Sequence, residues 1–198
     1  FQNRVLAAIG IVGYGFMVED VVTLHRLGGF VTKGLSREPM AGNPPPRLFE
    51  TAAGMLNAIG LQNIGARAFL DEKLPLLRKI DNIVFLCNVF GHSQDEYEEV
   101  VRILNDAEGV AAYELNVSCP NTKHGGLAFG VDEGALSDLV SRVKAEARRP
   151  VIVKLSPNVT AIEPFATAAE RSGADAISLV NTFVSLAINA RTRLPRIG

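Results

Sequence analysis

Short runs of β-branched and apolar residues recur along the chain, at residues 5–9, 30–33, 83–88, 111–117, 151–155 and 176–181. Most are apolar at successive positions rather than at every second one, the pattern of parallel strands covered on both faces. Between them the apolar spacing lengthens to that of helices. Ser93 and Glu96 make a Ser-x-x-Glu capping box, followed by Tyr97, Val100, Val101 and Leu104 on one face. Leu136, Leu139, Val140 and Val143 repeat that spacing. Thr160 and Glu163 form a second capping box, with Pro164 in the first turn and Gly173 placed to stop the helix. A weaker helix over residues 66–79 is expected to break near Pro75.

Alternating strands and helices predict a parallel sheet, either open and doubly wound or closed into a (β/α)8 TIM barrel. Lys33, Asn88, Asn116, Lys154 and Asn181 each stand at the C-terminal end of a different apolar run. A barrel gathers such ends around one mouth, whereas an open sheet strings them along a line, so the barrel is favoured. Six strands are visible, which makes the expected architecture an incomplete α/β barrel without strands seven and eight. The chain opens on Phe1-Gln2-Asn3 and stops at Arg196-Ile197-Gly198. We expect residues 1–198 to be one partial barrel domain, cut before closure.

Composition narrows the function classes. With 198 residues, 47% of them apolar, the chain can bury one sizeable core. A formal net charge of −1 gives no reason to expect nucleic acid or an anionic membrane surface as partner. No apolar run approaches the roughly 20 residues that span a bilayer. Cys87 and Cys119 have no metal-type spacing, which suits a reduced, cytoplasmic chain. Cys87, inside a strand, reads as a small buried hydrophobe. His25, His92 and His124 read as surface or loop residues, and no metal site is expected.

Chemistry concentrates where the fourth strand ends, in Asn116-Val117-Ser118-Cys119-Pro120-Asn121 and the trailing Lys123-His124-Gly125-Gly126. Pro120 disfavours helical backbone at Cys119 and holds the thiol in an extended turn. Gly125, Gly126 and Gly130 allow the loop to move as a lid. Asparagine amides both donate and accept, which suits a ring bearing N–H and C=O groups. Taken singly, Cys119 reads equally as a buried thiol. Lys33 and Lys154 can also be read, as the lesser alternative, as snorkelling strand-end lysines, and Asn88 and Asn181 as residues that satisfy turn backbone.

Together these segments resemble the class 1 dihydroorotate dehydrogenases. The Asn-x-Ser-Cys-Pro-Asn loop is joined by Gly42-Asn43-Pro44, Arg47 and the stretch from Gly54 to Asn63. Val153-Lys154-Leu155-Ser156-Pro157-Asn158 and Asn181-Thr182 add later strand ends, in register along the whole chain. Gly60-Leu61-Gln62-Asn63 and Lys123-His124-Gly125-Gly126 are most similar to class 1B members. The resemblance implies FMN as cofactor and oxidation of dihydroorotate to orotate. It also implies a homodimer and a partner subunit carrying FAD and a [2Fe–2S] cluster. Carried over by position, Cys119 is the base. Lys33, Asn57, Asn116, Asn121, Asn181 and Thr182, with backbone at Ile59, Gly60 and Leu61, hold the substrate. Ala8, Gly10, Lys33, Asn88, Asn116 and Lys154 line the flavin. Ile9 departs from the small polar residue common there, and the phosphate-binding loops after strands seven and eight fall outside this sequence. The chain alone is therefore expected to bind FMN weakly and to be inactive. Rival readings are a class 1A-like enzyme reducing fumarate, a dihydropyrimidine dehydrogenase-type domain, or an inactive barrel piece serving as a binding partner.

Overall fold

The computed structural model describes residues 3–15, 26–80, 82–118 and 129–197. Six strands form one parallel sheet: β1 (Leu6–Ala7), β2 (Gly29–Val31), β5 (Phe85–Val89), β6 (Val110–Asn116), β7 (Val151–Lys154) and β8 (Ala176–Ser178). They lie side by side in that order. Two antiparallel hairpins interrupt the alternation: β3 (Leu48–Thr51) with β4 (Gly54–Asn57), and β9 (Ile188–Asn189) with β10 (Leu194–Pro195). The Arg196 guanidinium lies 5.2 Å from the Phe49 ring centroid, so the hairpins touch. The six-stranded arc with helices on its outer side is that of an incomplete (β/α)8 barrel.

Every expected strand is present, mostly shorter at one or both ends. The apolar runs form because each strand is covered twice. One cluster, including Phe30, Cys87, Tyr113, Leu115 and Val153, packs against the helices. A smaller one, Val31, Leu86 and Ala112 with Ile9, Val84 and Ile152, fills the concave side. Alternation along β6 is broken once. Phe85 pairs with Val110 but Cys87 with Tyr113, so β6 carries one extra residue in that interval, a β-bulge that leaves Ala111 exposed.

The helices follow their local signals with two differences. At α3 (Gln94–Leu104) Ser93 Oγ accepts from the Glu96 N–H at 3.2 Å. Glu96 reaches back to the His92 N–H at 2.7 Å, one residue upstream of the usual box partner. α4 (Glu133–Glu146) is capped by Asp132, which accepts from the Ala135 N–H at 2.7 Å. The expected cap by Thr160 does not form, because α5 (Glu163–Arg171) starts later, after Ile162, without a side-chain cap. A helix capped at Thr160 would take its first backbone bond from residue 164, and proline has no N–H to give. The bond is made further on, from Ala166 to the Ile162 carbonyl at 3.1 Å. Gly173, at φ +97°, ends α5 as expected.

The stretch before β5 is α1 (Ala66–Ala68), a π-helical turn (Phe69–Lys73) and α2 (Leu74–Leu77). In an unbroken α-helix the Pro75 ring would meet the Asp71 carbonyl; the wider turn relieves that clash. No helix among the described residues is long and apolar enough to cross a membrane. Cys87 is fully buried and His92 exposed, as expected, while His25 and His124 lie outside the described residues.

Candidate functional site

Side chains alternate along a strand, so every second residue faces the concave side. On β2 these are Val31 and then Lys33 just beyond it. On β5 they are Leu86 and Asn88, on β6 Ala112, Glu114 and Asn116, and on β7 Ile152 and Lys154. The lower positions are apolar and the upper ones polar, which makes an apolar floor beneath a polar mouth. Register sets the neighbours: Asn88 pairs with Glu114, Asn116 with Lys154, and Lys154 with Ser178.

Asn88 is wholly buried and donates Nδ2 to Glu114 Oε1 at 2.7 Å. Its Oδ1 is buried and has no hydrogen-bond partner among the described residues. Gly34 borders that oxygen; a Cβ there would stand 3.1 Å from it and 3.7 Å from Ile9 Cδ1. An orphaned buried acceptor beside a side-chain-free position fits a ligand that brings an N–H or O–H.

Two cations share the mouth. Lys154 is only 7% exposed, and no carboxylate pairs with it among the described residues. A buried ammonium without a counterion is costly, so the position favours an anionic or electron-rich ligand. Lys33 is half-buried; burial, then the positive charge of Arg47, pushes its amine below the ordinary lysine value. Arg47 is held by Gln62 Oε1 at 2.6 Å and the Asn43 carbonyl at 3.3 Å. Across β7, Asn181 donates Nδ2 to Asn116 Oδ1 at 2.7 Å, and Asn181 Oδ1 accepts from the Thr182 N–H at 2.8 Å. The Asn116 carbonyl accepts from the Tyr97 hydroxyl at 2.6 Å.

The excursion after β2 is pinned where it leaves and returns, with Asn63 Nδ2 donating to Ser36 Oγ at 2.8 Å. Within it Gly60 and Leu61 have φ of +71° and +55°. Gly60 is obligatory twice over, since a Cβ would also lie 2.7 Å from the Asn43 nitrogen. The Ile59 carbonyl is taken by the Asn43 N–H and the Leu61 carbonyl by Asn63. The N–H groups of Ile59, Gly60 and Leu61 have no acceptor among the described residues. Consecutive free N–H groups make a seat for an anion or carbonyl.

The sequence-predicted residues Lys33, Asn88, Asn116, Lys154 and Asn181 thus stand at one end of the sheet. Ala8 and Gly10 follow β1 there, both exposed, and the Lys33 N–H bonds the Gly13 carbonyl at 2.8 Å, tying that loop to the mouth. Asn57, at the end of β4, and Thr182 are exposed. Cys119, Asn121, Gly125 and Gly126 lie outside the described residues. Sequence reasoning missed Glu114, although its place two residues before Asn116 already put it on the same strand face. Among the described residues no three His, Cys, Asp or Glu side chains converge as a metal site.

A protein of Solibacter usitatus, provisionally named dihydroorotate dehydrogenase A (fumarate), is 62% identical over all of this chain and 64% of its own length. The dihydroorotate dehydrogenase B (NAD(+)) catalytic subunit of Trichlorobacter lovleyi is 48% identical over 98% of this chain and 64% of its own. That of Thermodesulfovibrio yellowstonii is 48% identical over 100% and 65% respectively. The chain therefore spans just under two thirds of the length of these relatives. The dihydroorotate dehydrogenase family model matches residues 1–197, and on that match and these identities the chain belongs to the dihydroorotate dehydrogenase family.

Proposed function

We propose that residues 1–198 are part of the barrel of an FMN-dependent dihydroorotate dehydrogenase, which oxidises dihydroorotate to orotate. The observation that carries this reading is the pair of cations, Lys33 and Lys154, with no paired carboxylate among the described residues, in a mouth that also holds Asn88, Asn116 and Asn181. Electron-rich rings and a carboxylate are what such a mouth accommodates. FMN would supply the acceptor for the hydride leaving C6 of the substrate. Ala8, Gly10, Lys33, Asn88, Asn116 and Lys154 would hold it, with Lys154 opposing the negative charge that reduction brings.

The remaining chemistry belongs to side chains. Cys119 takes the proton from C5, a task a thiol suits because its reference pKa of about 8.5 lies close to neutral pH. Asn57, Asn116, Asn121, Asn181 and Thr182 bind the pyrimidine edges and, with Lys33, orient the ring. The N–H groups of Ile59, Gly60 and Leu61, without an acceptor among the described residues, suit the substrate carboxylate. Ser118 leads directly from the mouth to Cys119 in sequence. The test is Cys119→Ala in the full-length protein. FMN should stay bound while anaerobic flavin bleaching by dihydroorotate slows by at least roughly 100-fold, the lower range for loss of a general base. Near-normal bleaching removes Cys119 from the mechanism.

The electron acceptor has two readings. The B-type catalytic-subunit relatives, together with the Gly60–Asn63 and Lys123–Gly126 motifs, support a partner subunit carrying FAD and a [2Fe–2S] cluster, with NAD as final acceptor. The 62% identical Solibacter protein favours fumarate. Turnover with fumarate alone, against turnover with NAD and the copurified subunit, separates them. A cytoplasmic homodimer goes with either reading.

A further inference from the structure

Glu114 is the only buried acidic side chain among the described residues, at 4% exposure. Its single hydrogen bond there is the one from Asn88, and no cation pairs with it, so it is not in place as a counterion for Lys33 or Lys154. We infer that Glu114 is a positioning residue that locks the Asn88 amide in one orientation, so that Asn88 offers the mouth an acceptor and the group seated there must bring a donor. The inference rests on the flavin reading above and assigns the polarity of one of its contacts.

An asparagine amide is ambivalent: a half-turn exchanges its donor for its acceptor at little steric change. A carboxylate removes that freedom. It accepts only, so the nitrogen must face it; the flipped amide would press two acceptor oxygens together at hydrogen-bond distance. The Asn88 backbone cannot swing to compensate. Its N–H bonds Thr32 Oγ1 at 3.3 Å and its carbonyl accepts from the Leu35 N–H at 2.8 Å. Oδ1 is therefore committed to the side of Gly34, where it has no donor among the described residues and where glycine leaves room. A buried polar atom left unpaired is destabilising, and a ligand N–H or O–H would relieve that penalty.

Exchanging the pair tests this in the full-length protein, by titrating FMN into apoprotein and following the quenching of flavin fluorescence. Asn88→Asp sets two carboxylates against each other and should weaken FMN binding by about tenfold or more. Adding Glu114→Gln gives the introduced carboxylate an amide donor on the inner side, while its outer oxygen remains an acceptor. That double variant should bind FMN within about threefold of the unmodified protein, the non-additivity expected of a contacting pair. A double variant that binds no better than Asn88→Asp, or an Asn88→Asp that binds like the unmodified protein, overturns the inference. If the single variant does not fold, the double variant decides alone: folded and within that threefold it supports the lock, otherwise it refutes it. An unmodified protein that binds no FMN removes the flavin reading and this inference with it. One that binds FMN while the exchange recovers nothing removes this inference alone.

Discussion

Alkaline pH should unfold this protein in part through Cys87. The residue sits on β5 with no exposure, and burial pushes its thiol up from 9.0 to about 12, against weaker opposing effects of the Thr32 hydrogen bond and the Arg149 charge. The folded value lies above the unfolded one, so the contribution to stability is complete below about pH 9 and is lost as pH rises toward 12. In that window the slope approaches about 1.4 kcal/mol per pH unit, and between about pH 8 and pH 11 the loss amounts to about 2.5 kcal/mol. Tyr14 and Tyr113, both raised chiefly by burial, act in the same direction. Lys33, lowered by burial, acts in the opposite one. Comparison with Cys87→Ala cancels these shared contributions. Urea unfolding at about pH 8, 9, 10 and 11 should show the unmodified protein losing about 2.5 kcal/mol more than the variant. Parallel pH dependences would refute the reasoning. At about pH 8 a thiol titrating near 12 is ionised to about one part in ten thousand, against about one part in ten for a thiol at 9.0. A thiol reagent applied to the native protein should therefore report on Cys119 alone, with Cys87 slower by about a thousandfold.

Two further predictions follow from side chains already placed. Arg149 donates to the carbonyls of Leu104, Asn105 and Ala107 and to the Tyr113 hydroxyl, at 2.8–3.2 Å, and so closes the end of α3. Arg149→Ala should lower the urea-unfolding free energy by about 2–3 kcal/mol; a loss under about 0.5 kcal/mol would mean that water replaces the guanidinium. On the flavin reading proposed above, Lys154→Ala in the full-length protein should slow anaerobic flavin reduction by dihydroorotate at least about tenfold, because a developing negative charge loses its buried cation. An unchanged bleaching rate would take Lys154 out of that role.

What the sequence made legible was whatever is decided by burial along a single element. Residues such as Phe85, Leu86, Cys87 and Val89 are apolar because helices cover one face of β5 and the barrel interior the other, so the strand could be read without its neighbours. The β3–β4 hairpin carries no such signal, since most of its residues from Leu48 to Asn57 are exposed and the pattern reads as loop. Thr160 misled because a capping box is a local rule, and the rule failed on the backbone N–H that Pro164 lacks. The five strand-end residues were legible because the barrel needs only their position in each run. Glu114 was not, because its meaning depends on Asn88, 26 residues earlier and one strand away. The unpaired N–H groups of Ile59 to Leu61 likewise depend on Asn43 and Asn63 capturing the carbonyls, a pairing no spacing rule announces.

The single extra residue in the first half of β6 carries more weight than its exposed alanine suggests. Val110 faces the helices, and strict alternation from it would send Glu114 and Asn116 the same way, with Tyr113 and Leu115 projecting into the cavity. Length in that interval, rather than chemistry, therefore decides which side chains line the mouth. Across a lineage, Ala111 should drift freely among residue types, whereas gain or loss of one codon beside it would exchange a polar pocket for a greasy plug while sparing every residue named in the chemistry.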